Sequence, residues 1–331
     1  KRLKEDCGFI PETDFATGRS VEDMGELELK SVIITGADGF VGSYTTEYFL
    51  NQGIEVLALG RKAAPVRLKH HDKMVYRQCD ITDRSNIIKA AAGKKYDAFI
   101  HFAWDGAADK RKDYNVQMKN AIDTVECLKA AKETGCDRFV GAGSIMEYEV
   151  EAAIHTDGTR PGMAYIYGIG KHTAHCLCKP VAAELGIDFI WPMITNAYGP
   201  GEFTDRFVNS TLKKIIRKED LQFTAATQNY DFVYVKDVAR AFYLITTKGR
   251  PFSEYMIGSG NARPLKEFII EMKENLAKDA TLCFGDIPFT GTDMPLEVFS
   301  IKRLKEDCGF IPETDFATGT AITMEWLKEQ Q

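Results

Sequence analysis

The chain has no run of eighteen apolar residues, so no stretch reads as a membrane-spanning helix. It has no excess of positive charge either. Against 42 Lys and Arg stand 48 Asp and Glu, a net charge of −6, which removes the electrostatic basis for non-specific binding to nucleic acid or an anionic membrane. Paired cysteine spacings are absent. Cys7, Cys79, Cys127, Cys136, Cys176, Cys178, Cys283 and Cys308 are scattered, which fits a reduced cytoplasmic protein better than a disulfide framework. The opening Lys1-Arg2-Leu3-Lys4-Glu5-Asp6 lacks the apolar core of a secretory signal. What remains is a globular composition, 44% hydrophobic over 331 residues, enough for one large domain or two smaller ones.

The beginning of the chain is a duplicate. Lys1 to Gly18 repeat Lys302 to Gly319 letter for letter, at an interval far too long for a solenoid. Three readings are open: the tail of a preceding tandem copy, a duplication in the coding sequence, or a segment that docks where 302–319 normally sit, in this chain or a neighbour. Arg19 to Glu28 reads as a polar linker, and residues 1–30 are set aside as an extra segment.

From Lys30 onward short β-branched runs alternate with helical patterns. Strands are expected at Ser31–Ile34, Ile54–Leu59, Met74–Cys79, Tyr96–Ala103, Arg138–Ala142 and Ile187–Trp191. Helices are expected at Tyr44–Leu50, Asp83–Ala92 behind a capping Asp83, Lys110–Thr134 and Met163–Leu185, the last bent at Pro180. This alternation predicts an α/β fold, a Rossmann-type doubly wound parallel sheet, with ligands at the carboxyl ends of its strands. The expected division is a dinucleotide-binding domain over 31–195, rejoined by 229–248, and a smaller mixed α/β substrate domain over 196–331.

The first strand runs into Thr35-Gly36-Ala37-Asp38-Gly39-Phe40-Val41-Gly42. Strand, glycine turn and helix is the context in which such a motif holds a dinucleotide. Gly36 permits the turn, Gly39 lets the backbone approach a pyrophosphate, and Gly42 lets helix and strand pack closely. Asp38, Phe40 and Val41 belong to the same cofactor-binding turn. At the end of the second strand an acid would read the 2′-hydroxyl of NAD(H). Here stand Arg61 and Lys62, which favour NADP(H), with NAD(H) possible and a solvated basic loop as the bland alternative. Asp80 and Ile81, ending the third strand, are placed to meet the adenine, although a turn Asp explains Asp80 equally well.

Tyr167 and Lys171 are one helical turn apart and share a face. A phenol is a poor base at neutral pH, and a neighbouring cation makes its ionised form accessible. Ser144, at the end of the fifth strand, supplies a hydroxyl for a substrate oxygen. His172, His175 and Cys178 do not complete a metal site, so no metal is expected.

With these motifs the sequence resembles the extended short-chain dehydrogenase/reductases, the NAD-dependent epimerase/dehydratase family. The resemblance covers residues 31–331. Besides the glycine turn it rests on Cys79-Asp80-Ile81-Thr82-Asp83, Ile100-His101-Phe102-Ala103, Asn120 to Thr124, Gly143-Ser144, and Tyr167 with Lys171. It extends to Asn196 to Gly201, Asp231 to Ala239 and the ending from Cys308 to Trp326. It implies Tyr167 as the acid/base, Lys171 as its helper and holder of the nicotinamide ribose, and Ser144 as the hydroxyl partner. Phe102, Ala103, Trp104 and Asn120 would line the cofactor, and Asn196 would touch a sugar diphosphate. It also implies a homodimer paired through the helices at 110–134 and 163–185.

The departures narrow the reaction. In the family's sugar 4,6-dehydratases an Asp-Glu pair follows the catalytic hydroxyl residue; here it is Ile145-Met146, and neither moves a proton. Two arginines that the family often aims at the pyrophosphate have no counterpart, since Met193 and Tyr230 stand there. Arg206, Lys213 and Arg263 are the candidates to replace them. Trp104 and Asp105 occupy positions where small residues are common; Trp104 either walls the sugar pocket or joins the core, and Asp105 is a candidate substrate ligand. Glu147 and Tyr148 bind the sugar or serve structure. The set resembles the deoxysugar 4-ketoreductase branch. The expectation is therefore an NAD(P)-dependent oxidoreductase acting on a nucleotide-activated sugar, net reduction slightly favoured. An epimerase that retains its cofactor and a non-catalytic dinucleotide sensor are the rivals.

Overall fold

The protein is described by a computed structural model over residues 27–107, 109–289 and 291–330. The duplicated Lys1 to Gly18 and most of the linker lie outside the described residues. Seven parallel strands form the main sheet in the order β12-β7-β5-β4-β1-β2-β3, and a short β6 pairs with β7 beyond the end of β5. They are β1 (Ser31–Thr35), β2 (Glu55–Gly60), β3 (Met74–Gln78), β4 (Ala98–His101), β5 (Arg138–Gly141), β6 (Gly143–Ser144), β7 (Asp188–Ile194) and β12 (Ser253–Ile257). Strand order reverses between β1 and β4, and a crevice opens there at the carboxyl ends.

The pleat sends alternate residues to opposite faces. Ile33, Phe99, Phe139 and Phe189 go to one core, where Phe99, Phe139, Phe189 and Trp191 stack in a row at 5.5, 6.2 and 5.7 Å. That face is covered by α2 (Arg84–Ala91), α3 (Tyr114–Glu133) and α5 (Ile166–Leu185). Val32, Ile34, Ile100, Val140 and Ile190 go to the other core, under α1 (Phe40–Asn51) and α7 (Val235–Lys248). Burial on both faces explains why the inner strands β1, β4 and β5 read as short apolar runs. The helices begin where the caps dictate: Asp83 accepts from Ser85 N at 2.9 Å, and Asp113 accepts from Asn115 N at 3.0 Å. The second cap starts α3 four residues later than the apolar pattern suggests, and the turn before it carries Arg111.

Two elements escaped the sequence pattern. Helix α4 (Met146–Ile154) follows β6, and β12 joins the large sheet from beyond residue 195. The remaining chain builds a third core around Phe223, Phe232, Phe268 and Phe316. It comprises α6 (Phe207–Ile216), α8 (Leu265–Leu276), α10 (Phe316–Glu329) and the short strands β8 (Asn196–Tyr198), β9 (Leu221–Phe223), β10 (Asn229–Tyr230), β11 (Phe232–Tyr234), β13 (Arg263–Pro264) and β14 (Leu282–Phe284).

The second copy of the repeat, 302–319, is built into the fold. Its helix α9 (Lys302–Cys308) buries Leu304 and Cys308, and Phe310 is fully buried. Tyr255 Oη donates to Asp307 at 3.0 Å, and the Asp237 carboxylate accepts from the backbone of Glu313 and Thr314 at 2.9 and 3.0 Å.

Candidate active site

The glycine turn ends β1 beside the crevice. Gly36 has a φ of +65°, and a Cβ there would lie 2.7 Å from the Ala103 backbone nitrogen. A Cβ on Gly42 would lie 2.1 Å from the Gly36 carbonyl oxygen, so α1 reaches the strand only because that atom is missing. Helix α1 starts behind Gly39 with no side-chain cap and no acid in its first turn, which leaves its positive end open to an anion. A cleft of about 680 Å³ runs from this turn past Gly60, Arg61, Lys62, Asp80, Ile81, Phe102, Ala103, Trp104 and Asn120. An unencumbered helix end and a glycine cradle that a Cβ would fill fit a dinucleotide.

Within the cleft several candidate residues are committed to the protein itself. The Asp38 carboxylate accepts from the backbone of Val66 and Arg67 at 2.9 and 2.6 Å and so folds that loop against the turn. Asp80 accepts from Thr82 N at 3.0 Å, an Asx turn. Asn120 brackets the backbone of Asp105, accepting at 3.0 Å and donating at 2.8 Å. Arg61 pairs with Asp105 at 2.8 Å across the cleft mouth while most of its side chain stays exposed, and the Lys62 carbonyl accepts from Tyr76 Oη.

A second cavity of about 240 Å³ is lined by Arg111, Ser144, Tyr167, Asn196, Arg206 and Tyr230, among others. Trp104, on the wall of the first cavity, stands edge-on to Tyr167, on the wall of the second, with ring centroids 6.2 Å apart. Helix α5 presents Tyr167 and Lys171 on one face, as their spacing requires. Ser144 Oγ accepts from Met146 N at 3.2 Å, which turns its proton away from the helix. Burial raises the Tyr167 phenol, while Arg206, Arg111 and the Ser144 hydroxyl favour its ionised form.

Lys171 sits differently from the helper its spacing suggests. Its Nζ donates to the Ala142 carbonyl at 2.7 Å and lies 3.7 Å from the centre of the Trp104 indole, and burial pushes its pKa down to about 7. Trp104 in turn donates to Gln117 Oε1 at 2.7 Å. The cation over the face of the Tyr167 ring is Arg111, whose guanidinium lies 4.4 Å from the ring centroid, with Arg206 also favouring the ionised phenol.

Glu147, a candidate sugar ligand, does not line this cavity. Its buried carboxylate accepts from Ser144 N at 2.9 Å and Trp191 Nε1 at 3.1 Å, and faces His175 at 3.4 Å. The pattern Ser144-x-x-Glu147 is a capping signature, and it was the available signal for α4. Gly143 is confined by the same group, since a Cβ there would lie 2.5 Å from Trp191 Nε1. Asn196 donates to the Asp231 carbonyl at 3.0 Å, and Arg206 reaches Glu202 at 3.8 Å. Lys213 and Arg263 are paired with Asp205 and Glu271 and line neither cavity. Arg111 was not anticipated at all, because it lies in a turn whose path no local pattern specifies.

The sequence profile of the NAD dependent epimerase/dehydratase family matches residues 32–258. A dTDP-glucose 4,6-dehydratase from Escherichia coli is 23% identical, covering 89% of this chain and 92% of its own. CDP-abequose synthase from Salmonella typhimurium is 24% identical, covering 87% and 95%. The solved UDP-glucuronic acid 4-epimerase from Bacillus cereus, in complex with UDP-4-deoxy-4-fluoro-glucuronic acid and NAD, superposes with a TM-score of 0.76 at 19% identity, over 91% of this chain and 100% of that one. With its glycine turn, doubly wound sheet and matched profile, the chain belongs to the NAD-dependent epimerase/dehydratase family of extended short-chain dehydrogenase/reductases.

Proposed function

We propose that the protein is an NAD(P)-dependent oxidoreductase of nucleotide-activated sugars, with net reduction of a 4-keto sugar favoured over epimerisation. The observation that carries this is the position of Ser144 and Tyr167 in one small cavity, whose wall at Tyr167 stands edge-on to Trp104 on the wall of the dinucleotide cleft. A bound nicotinamide dinucleotide supplies the hydride transfer. Gly36, Gly39 and the start of α1 hold its phosphates, and the wall from Phe102 to Trp104 holds its nicotinamide end. Tyr167 Oη gives a proton to the sugar oxygen in reduction or takes one in oxidation. The Ser144 hydroxyl donates to the same oxygen as charge develops on it. Arg206 and Asn196, on the far wall, are the groups for the diphosphate.

Ile145 and Met146 both line the cavity and neither transfers a proton, so elimination of water lacks its acid and base at those positions. This favours reductase or epimerase chemistry, although the E. coli relative is a dehydratase. The preference for NADP(H) rests on Arg61 and Lys62; the Arg61–Asp105 pair competes with it. Arg61→Ala is expected to weaken NADPH binding about ten-fold more than NADH binding, one bidentate phosphate contact being worth that much. Equal losses in calorimetry remove the NADP assignment. Pairing of two copies through α3 and α5 places the exposed Ile122 and Leu177 in an interface, and a monomer mass by light scattering refutes it.

The deciding experiment incubates the protein with nucleotide-linked 4-keto sugars and both reduced cofactors. Stoichiometric cofactor oxidation supports the reductase. Interconversion of 4-hydroxyl epimers without net oxidation supports the epimerase, and cofactor binding with no turnover across the panel supports a sensor.

A further inference from the structure

Arg111 stands at the end of the turn before α3, half-buried, on the wall of the cavity that holds Ser144 and Tyr167. No hydrogen bond or ion pair ties its guanidinium to a described residue, and burial works against its charge. It lies instead over the face of the Tyr167 ring, 4.4 Å from the centroid. The charged and titratable groups around the pair are Arg206 ahead of α6, Glu149 on α4, Tyr230 on β10 and Glu147 beneath Ser144. The carboxylate of Glu149 is beyond ion-pair distance, and Arg206 is a like charge. Among the described residues no carboxylate comes within ion-pair distance of this guanidinium, Glu149 acting on it only from farther away.

The phenol beneath it can become an anion. A cation over an aromatic face is attracted to the ring's electron density. Ionisation of the phenol spreads negative charge into the ring and strengthens the attraction, so the cation favours phenolate over phenol. Lys171 serves poorly here, because it is turned onto Trp104 and the Ala142 carbonyl and sheds its charge near neutrality. An arginine keeps its charge at every working pH.

Building on the assignment of Tyr167 as the acid/base, we propose that Arg111 is a positioning residue that helps make Tyr167 a usable base, adding at the ring face, beside the contribution of Arg206, the fixed positive charge that the sequence pattern assigns to Lys171. In the oxidative direction the substrate O–H bond breaks and its proton forms the Tyr167 O–H bond. Arg111 stabilises the phenolate that waits for that proton.

The test is an ultraviolet titration of tyrosine ionisation in the full-length, cofactor-free protein. Subtracting the Tyr167→Phe curve isolates Tyr167. In the Arg111→Met background, with its own Tyr167→Phe control, the Tyr167 transition is expected to move to higher pH, and Arg111→Lys to fall between. Oxidative turnover at pH 7 drops about ten-fold in Arg111→Met and recovers as the pH is raised. A Tyr167 transition unmoved by Arg111→Met in a protein of unchanged circular dichroism overturns the proposal. If Arg111→Met does not fold, Arg111→Gln against Arg111→Lys decides on the same readout. Full turnover by Tyr167→Phe would instead refute the assignment of Tyr167, a failure distinct from that of Arg111.

Discussion

The side chains that meet beside Trp104 have opposed electrostatic needs. Tyr167 is held back from ionising by burial, and Lys171 is held back from being charged by the same burial. On the proposed mechanism, Tyr167→Phe removes the hydroxyl that exchanges a proton with the sugar oxygen. A loss of turnover of at least about 100-fold is expected with cofactor affinity retained, measured by steady-state kinetics beside cofactor titration. Glu149 offers a reading on stability. Burial pushes its carboxyl from 4.5 up to about 7. Between those values the folded chain holds the proton that the unfolded chain releases, so the group's contribution is full below pH 4.5 and is lost as pH rises through 7. Glu149→Gln should therefore gain in melting temperature over the parent between pH 4.5 and 7 and level off above. A constant difference across that range would contradict the shift.

At the scale of elements, the site depends on two helix starts. Helix α1 meets β1 at Gly42, where any side chain strikes a carbonyl oxygen that cannot move without undoing the turn. At the start of helix α4 the Glu147 carboxylate accepts from Ser144 N and Ser144 Oγ accepts from Met146 N, so the hydroxyl proposed for catalysis is also a structural one. Glu147 is the shared acceptor for Ser144 N and Trp191 Nε1 and the neighbour of His175, which in turn faces Glu254 at 3.4 Å. Glu147→Ala leaves buried donors without an acceptor and should cost about 3 kcal/mol in denaturant unfolding. A cost under about 0.5 kcal/mol would show that the carboxylate is not what holds Ser144. The capping pair was legible in the sequence as Ser-x-x-Glu. Its neighbour Trp191, from β7, was not, because a strand distant along the chain brings it there.

Over the whole molecule, the chain returns to its first sheet after building the third core. Strand β12 extends the sheet beside β7, and the segment 302–315 straps α7 and β12 through Asp307, Asp237 and the buried Phe310. Phe310→Ala should therefore lower stability by about 3–5 kcal/mol, as for a large ring removed from a packed core. A change below about 1 kcal/mol would mean the strap is dispensable. The repeat at 1–18 carries the same apolar and acidic positions in Leu3, Asp6, Cys7 and Phe9, but it lies outside the described residues.

Local patterns are enough where chemistry depends on neighbours along the chain. The glycine turn, the cap Asp83, and the one-turn spacing of Tyr167 and Lys171 are of this kind, because turn conformation and helical pitch are short-range properties. The alternation of strands and helices likewise specified the sheet, since its inner strands had to be apolar on both faces. Tertiary structure alone decided what each charge does. It bonded Asp38 to the distant backbone of Val66 and Arg67, set Glu147 against Trp191 and His175, set Lys171 against Trp104 and brought Arg111 over Tyr167. The physical reason is that a side chain's charge acts over a few ångströms of space, and residues 56 positions apart become neighbours only when the sheet and its loops close.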